Sequence, residues 1–263
     1  FQENNKIKVF GPNKFASKLE GSKAFMKMIC KKYDIPTAKF KICRNERDFR
    51  KSINSFSLPI VVKADGLAAG KGVVICKTSE AALDVARQIF KGKFRSSKKV
   101  ILEEFLNGEE ASYFLVVDKN NFISFGTAQD HKKVRENERG PNTGGMGAYS
   151  PAPIINNELE NKIVERIVKP TLRAIKSKKK FYRGFLYVGL MIKNNNPYLI
   201  EYNVRMGDPE CQVILPRLKT SLLKIINYSL RNKLNEIKIS WEKKKSMAIV
   251  LCSKGYPGFY KKN

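Results

Sequence analysis

Residues 61–76 read VVKADGLAAGKGVVIC, with Lys63 and Lys71 on either side of a loop of small residues. Gly66, Gly70 and Gly72 let backbone N–H groups approach an anion closely, and the lysines add positive charge, so the loop is suited to phosphate. It is not a Walker A loop: Gly66 and Gly70 are one residue too close, and Gly72 follows Lys71 where Ser or Thr is required. A Walker loop opens onto a helix, whereas apolar β-branched residues follow here. The loop is therefore expected to join two antiparallel strands and to lie over phosphates as a flap.

Three further stretches carry candidate chemistry. In ILEEFLNGEEAS (101–112) an apolar strand runs into Glu103 and Glu104, then a turn at Asn107-Gly108, then Glu109 and Glu110. A strand-to-loop hinge can copy a base-pairing edge with its backbone, and a carboxylate a few residues on can take ribose hydroxyls. In PYLIEYNVRMGDPECQ (197–212) strand alternation puts Glu201 and Asn203 on one face. Both offer hard oxygen ligands suited to Mg²⁺, and Arg205 adds a planar fork for carboxylate or phosphate. In QDHKKV (129–134) and GPNTGGMGAYSP (140–151), Asp130 is a candidate for holding a substrate ammonium group. His131, the only histidine, is taken as structural or substrate-orienting rather than as a base. The glycines of the second motif suggest a loop of backbone donors for an oxyanion or phosphate.

The elements that must position these residues follow from periodicity and punctuation. Residues 22–33 have helical spacing, closed by Asp34-Ile35-Pro36. Strands are expected at 60–64, 73–76, 100–105, 112–117 and 122–128, with a helix capped by Thr78 between the second and third. Residues 129–153 are expected to form one long polar loop. A helix over 157 to about 177 should kink at Pro170. Strands 185–192 and 197–203 form a hairpin, followed by a helix at 220–230 and a strand at 247–252. Hairpins rather than alternating βαβ units make the class α+β and argue against a doubly wound sheet.

The 263 residues can bury a substantial core, and no apolar run is long enough to span a membrane. No signal peptide is evident, and the five scattered cysteines form no C-x-x-C pair, which fits a reducing, cytoplasmic setting. The net charge of +27 comes from 51 basic and 24 acidic residues. The lysines are spread along the chain and are not interleaved with aromatics, so neither a specific nucleic-acid partner nor a membrane partner is expected. The rival from another class is nonetheless a basic nucleic-acid-binding module.

Taken together, LEGSKAF (19–25), KADGLAAGKGV (63–73), EEFLNGEEAS (103–112), QDHK (129–132), GPNTGGMGAYSPAP (140–153) and EYNVRMGDPE (201–210) resemble the ATP-grasp superfamily. Within it, their order is similar to that of the glycinamide ribonucleotide synthetase (phosphoribosylamine–glycine ligase) family. The resemblance implies two α+β subdomains gripping ATP and ATP-dependent ligation of glycine to 5-phosphoribosylamine through glycyl phosphate. It implies ATP contacts from Lys63, Gly70, Lys71, Gly72, Glu104, Leu106, Glu109 and Glu110, and a Mg²⁺ or Mn²⁺ ion on Glu201 and Asn203. Arg205 and Asp208 would be catalytic on the glycine side, beside Gly207. Asp130, His131, Lys132, Pro141, Asn142, Thr143, Gly144, Gly145 and Gly147 would border the amine and phosphoribosyl side. The implied layout is a first part of the central domain at 1–57, a lid at 58–107, a main catalytic subdomain at 108–235 and the start of a C-terminal β-rich domain at 236–263. The chain is expected to be a monomer, truncated at both ends relative to this family. The nearest rivals are another ATP-grasp carboxylate–amine ligase and a fragment that binds ATP without full turnover.

Overall fold

Side-chain caps set the helix starts. Ser22 Oγ accepts from Phe25 N at 3.1 Å, Thr78 Oγ1 from Ala81 N at 3.2 Å and Asn156 Oδ1 from Leu159 N at 2.9 Å. The structure is a computed structural model that describes residues 7–67, 72–93, 99–136 and 139–259. The first elements are α1 (Lys18–Gly21), α2 (Lys23–Lys32), β1 (Phe40–Cys43), α3 (Glu46–Ile53), β2 (Ile60–Ala64), β3 (Val73–Cys76), α4 (Ser79–Phe90) and β4 (Val100–Glu104). The four strands form one antiparallel sheet in the order β1-β4-β2-β3. Its Ile60, Val62, Ala64 and Leu102 are buried with Phe49, Ala82, Ala86 and Ile89 from α3 and α4. Strand alternation then turns Val61 and Lys63 to the other face. Because β1 pairs with β4, this sheet recruits residues upstream of position 58.

The second sheet has six strands in the order β11-β10-β5-β6-β9-β12, all antiparallel. They are β5 (Glu109–Val117), β6 (Phe122–Asp130), β9 (Gly147–Ser150), β10 (Gly184–Lys193), β11 (Asn196–Asn203) and β12 (Ser246–Ile249). One face buries Tyr113, Leu115, Leu186, Val188, Leu199 and Tyr202 with α2, α5 (Asn157–Ile163) and α6 (Lys169–Lys176). The other buries Phe114, Val116, Phe125 and Ala128 with α7 (Glu210–Ile214), α8 (Leu222–Leu230) and Trp241. The α+β class is as expected.

Two expectations are corrected. Residues 129–153 are not one loop. They extend β6 to Asp130, form the short hairpin of β7 (Lys133–Arg135) with β8 (Arg139–Asn142), and add β9 to the large sheet. Their glycines and proline hid strands only three or four residues long. The long helix also does not simply kink at Pro170. A π-helical turn over Val164–Val168 precedes the proline, with Lys169 N bonded to Val164 O. This wider turn absorbs the residue that cannot donate an N–H. No helix among the described residues is long and apolar enough to cross a membrane.

Candidate active site

A cleft of about 570 Å³ separates the two sheets. Val61, Lys63, Val73 and Ile75 line it from the small sheet, and residues 103–108 line the hinge. Glu109, Glu110, Gln129, Asp130, His131, Lys132, Met191 and Ile200 line it from the large sheet. Its volume, and apolar walls interspersed with charged side chains of both signs, suit a polar small-molecule ligand.

Lys63 Nζ lies 3.0 Å from Glu103 Oε2, and Lys27 Nζ reaches the same oxygen at 3.1 Å. Burial alone would raise the Glu103 carboxyl, but Lys63 and Lys27 outweigh it and hold it below its ordinary range. Glu103 Oε1 is buried without a hydrogen-bond partner among the described residues. Gly70 and Lys71 lie outside the described residues. The flap root is fixed by Asp65, whose carboxylate accepts from Ser22 Oγ at 3.0 Å, Ala24 N at 3.0 Å and Gly66 N at 3.1 Å. Gly66 has φ +90°, a conformation that favours glycine. Gly72 is buried, and its carbonyl accepts from Ala64 N at 2.8 Å.

At the hinge, Glu104 Oε1 accepts from Lys39 N at 2.7 Å, so this side chain ties the hinge to the strand beside it. Leu106 lines the cleft. Glu109 Oε1 accepts from Gln129 Nε2 at 2.7 Å, and Tyr149 Oη donates to Gln129 Oε1 at 2.9 Å. Glu110 is paired with Lys132 at 3.0 Å.

Asp130 lies 3.9 Å from Lys132 Nζ and is largely buried. Burial pushes its carboxyl up to about 6; Lys132 opposes this, while Glu210 and Glu110 reinforce it. Burial would lower Lys132, but the acidic groups Tyr187, Glu110, Asp130 and Glu201 hold it well above its ordinary value. His131 is exposed, with its ring 5.7 Å from that of Tyr149. Its backbone bonds to Gly147 O at 2.9 Å and to Met146 N at 2.7 Å, joining β6 to the glycine-rich motif.

Glu201 lies beneath the cleft in a small polar recess shared with Glu110, Ser112, Asp130, Lys132 and Tyr187. A β-bulge sets its position: Gly189 pairs with Glu201 and Leu190 with Leu199, leaving Ile200 extra. Ile200 and Glu201, consecutive in sequence, both line the recess, while Leu199 and Tyr202 share the core. Asn203 follows two residues after Glu201, and its Oδ1 accepts from Arg205 Nη2 at 3.3 Å. A Cβ on Gly189 would stand 3.1 Å from Glu201 Cγ. Arg205 pairs with Glu20 at 3.2 Å, and Asp208 accepts from Gln212 Nε2 at 2.6 Å. Gly207 leaves room for the Glu210 carboxylate, which would stand 2.3 Å from a Cβ there.

The glycine-rich motif does not present a row of free donors as its composition suggests. Thr143 N bonds to Lys132 O at 2.7 Å, Gly144 N to Tyr256 Oη at 3.2 Å, Gly145 N to Thr143 Oγ1 at 3.0 Å and Met146 N to His131 O. Its glycines serve close packing instead. A Cβ on Gly147 would lie 2.6 Å from Ala248 O. Pro141 and Asn142 are exposed at the hairpin of β7 and β8, and Asn142 reaches the cleft.

The structure thus gathers Lys63, Glu104, Leu106, Glu109, Glu110, Asp130, His131, Lys132 and Asn142 around one cleft, with Glu201 directly beneath. Asn203, Arg205, Gly207 and Asp208 lie outside that lining, as do Pro141, Thr143, Gly144, Gly145 and Gly147. Sequence reasoning passed over Lys27, Asp65, Gln129 and Tyr187. Lys27 looked like an ordinary helix lysine, although its neighbours at helical spacing, Ala24 and Cys30, are core residues and so pointed it inward.

The family model for the phosphoribosylglycinamide synthetase ATP-grasp (A) domain matches residues 21–211. A phosphoribosylamine–glycine ligase of Brucella melitensis is 44% identical over 257 residues, covering 97% of this chain and 60% of that protein. The crystal structure of phosphoribosylamine–glycine ligase from Thermotoga maritima matches with a TM-score of 0.88 and 37% identity, over 95% of this chain and 63% of that one. The biotin carboxylase domain of a Hydrogenobacter thermophilus 2-oxoglutarate carboxylase, in complex with MgADP, ADP and bicarbonate, shares the fold at 19% identity. Its TM-score is 0.70, over 94% of this chain and 53% of that one. The chain spans less than two thirds of the length of each of these proteins.

Proposed function

This chain belongs to the phosphoribosylglycinamide synthetase ATP-grasp family, and we propose that its cleft binds ATP and supports the ligation of glycine to 5-phosphoribosylamine. The products would be glycinamide ribonucleotide, ADP and phosphate. One observation carries the reading: a nucleotide-sized cleft of about 570 Å³ between two sheets, with buried Lys63 on one wall and Asp130, Lys132 and Glu110 on the other. Val61, Ile75, Leu106, Met191 and Ile200 supply apolar surface for a purine. The unpartnered Glu103 Oε1 asks for a donor, and the adenine amino group is one. Glu109 and Glu110 stand where the ribose would follow the hinge.

Carboxylates are poor electrophiles, and phosphorylation gives them a leaving group. A glycine carboxylate oxygen attacks the γ-phosphorus and ADP leaves. The amine nitrogen of 5-phosphoribosylamine then attacks the acyl carbon, phosphate leaves, and the nitrogen loses a proton. In this scheme the protein works by positioning and by charge. Lys63 holds phosphate, Asp130 holds an ammonium group, and Arg205, Gly207 and Asp208 border the glycine carboxylate. Glu201 and Asn203 fit a Mg²⁺ or Mn²⁺ ion through hard oxygen donors. Among the described residues no cluster of three or more His, Cys, Asp or Glu is arranged for a metal, so phosphate oxygens would complete the shell. Such an ion would neutralise charge on the transferring phosphoryl group.

The test is ADP release with ATP and Mg²⁺, with glycine and phosphoribosylamine supplied together and singly. Release that depends on both supports ligation; release independent of them overturns it. Because the relatives are longer, nucleotide binding without turnover would leave the ATP site standing and remove ligation from this chain. The proposed setting is a cytoplasmic monomer with small-molecule partners alone.

A further inference from the structure

Two lysines share one buried carboxylate oxygen, and only one of them is needed to neutralise it. Lys27 is fully buried, and Glu103 is 3% exposed. Lys27 Nζ is held from three directions. It lies 3.1 Å from Glu103 Oε2, donates to Thr37 Oγ1 at 2.7 Å and sits 5.4 Å from the centroid of the Phe40 ring. Thr37 Oγ1 in turn donates to Leu199 O at 2.6 Å. The helix carrying Lys27 is docked through Ala24 N onto Asp65, two residues beyond Lys63. Lys63 shares Glu103 Oε2 but lines the cleft. The two lysines and Glu103 together carry one positive charge in excess, and of the two lysines only Lys63 lines the cleft.

We propose that Lys27 is a positioning residue: it serves as the fixed counter-ion of Glu103, so that Lys63 can leave that carboxylate and meet a phosphate of the bound nucleotide. Without Lys27, Lys63 would be the sole partner of a buried carboxylate, and moving it to phosphate would strand that charge. Burial lowers the Lys27 ammonium toward neutrality while Glu103 opposes the change, as expected for a lysine held charged by one partner. The inference rests on the ATP-site reading above.

ADP and adenosine are titrated calorimetrically into the wild-type chain and into Lys27→Met. If the wild-type chain binds neither, the ATP-site reading fails, and the inference falls with it. If it binds ADP, Lys27→Met is expected to weaken ADP roughly tenfold and leave adenosine unchanged. A loss equal for both ligands, or no loss for ADP, overturns the inference, because a general packing defect would not distinguish phosphate from nucleoside. The pair Glu103→Gln and Glu103→Gln/Lys27→Met keeps the test open if Lys27→Met alone does not fold. With a neutral amide at position 103 no counter-ion is needed, so the two should bind ADP equally. A further tenfold loss in the double variant overturns the inference.

Discussion

Gly145 meets Pro209 face to face: a Cβ on Gly145 would stand 2.5 Å from Pro209 Cδ and 3.3 Å from Asp208 O. Two residues 64 positions apart in the sequence, one in each motif, thus touch through the absence of a side chain.

Gly145→Ala tests that contact. The residue has φ +125°, so the substitution adds backbone strain to the clash. We expect a loss of about 2–4 kcal/mol in urea unfolding. We also expect ligation to fall further than nucleotide affinity, since the motif packs on the Asp208 segment and not on the hinge. Equal losses in both assays would count against a role on the acceptor side.

The Asp65 carboxylate joins the flap root to the start of α2 through three donors. Asp65→Ala leaves the buried N–H groups of Ala24 and Gly66 without that acceptor, which should cost about 2–3 kcal/mol. The KM for ATP should rise while kcat at saturation changes less. An unchanged KM would show that the flap root needs no such anchor.

Asp130 predicts a pH signature. Its carboxyl is raised from 3.8 to about 6, chiefly by burial. The folded state therefore binds the proton more tightly than the unfolded chain does. The ionised form costs stability above pH 6, on the order of 2–3 kcal/mol, and the cost fades as pH falls from about 6 toward 4. Asp130→Asn should raise the melting temperature at pH 7.5 and lose that advantage near pH 4. A pH-independent difference would show that Asp130 is not buried as a charge.

Glu201 and Gly189 form a paired test of the cation site. Glu201→Ala should abolish Mg²⁺-dependent ADP formation. Gly189→Ala places a methyl group 3.1 Å from Glu201 Cγ and should weaken the dependence on Mg²⁺ without removing the carboxylate. A normal Mg²⁺ titration in Gly189→Ala, with full activity in Glu201→Ala, would remove the site from β11.

The strands that bury apolar residues, and the helices with clear caps, were legible because period and punctuation agreed. Thr78 marks a helix start that the structure keeps, and the helices expected from 22 and 157 begin at Lys23 and Asn157. Lys63, Glu104 and Glu201 are expected on strands, and the structure sets each of them in a strand. The charged interior was not. Glu103 and Glu104 are adjacent and chemically alike, and only strand pairing decides which is buried between two lysines and which bonds to Lys39. The glycines of residues 140–147 misled for a different reason. Glycine permits both anion contact and close packing, and only the tertiary neighbours, Pro209 and Ala248, tell the two apart.

The extra residue at Ile200 divides β11 into two independent reading frames. Residues before it keep their inward or outward sense by one count, and residues after it by another. A regular strand holding Leu199 in the core would turn Tyr202 out and Glu201 in, placing a carboxylate in hydrocarbon and a phenol in the recess. The insertion lets the core and the chemistry be specified separately along a single strand. What the bulge accommodates is therefore Ile200 itself: deleting it would close the bulge and leave Leu199 and Tyr202 in the core and Glu201 in the recess.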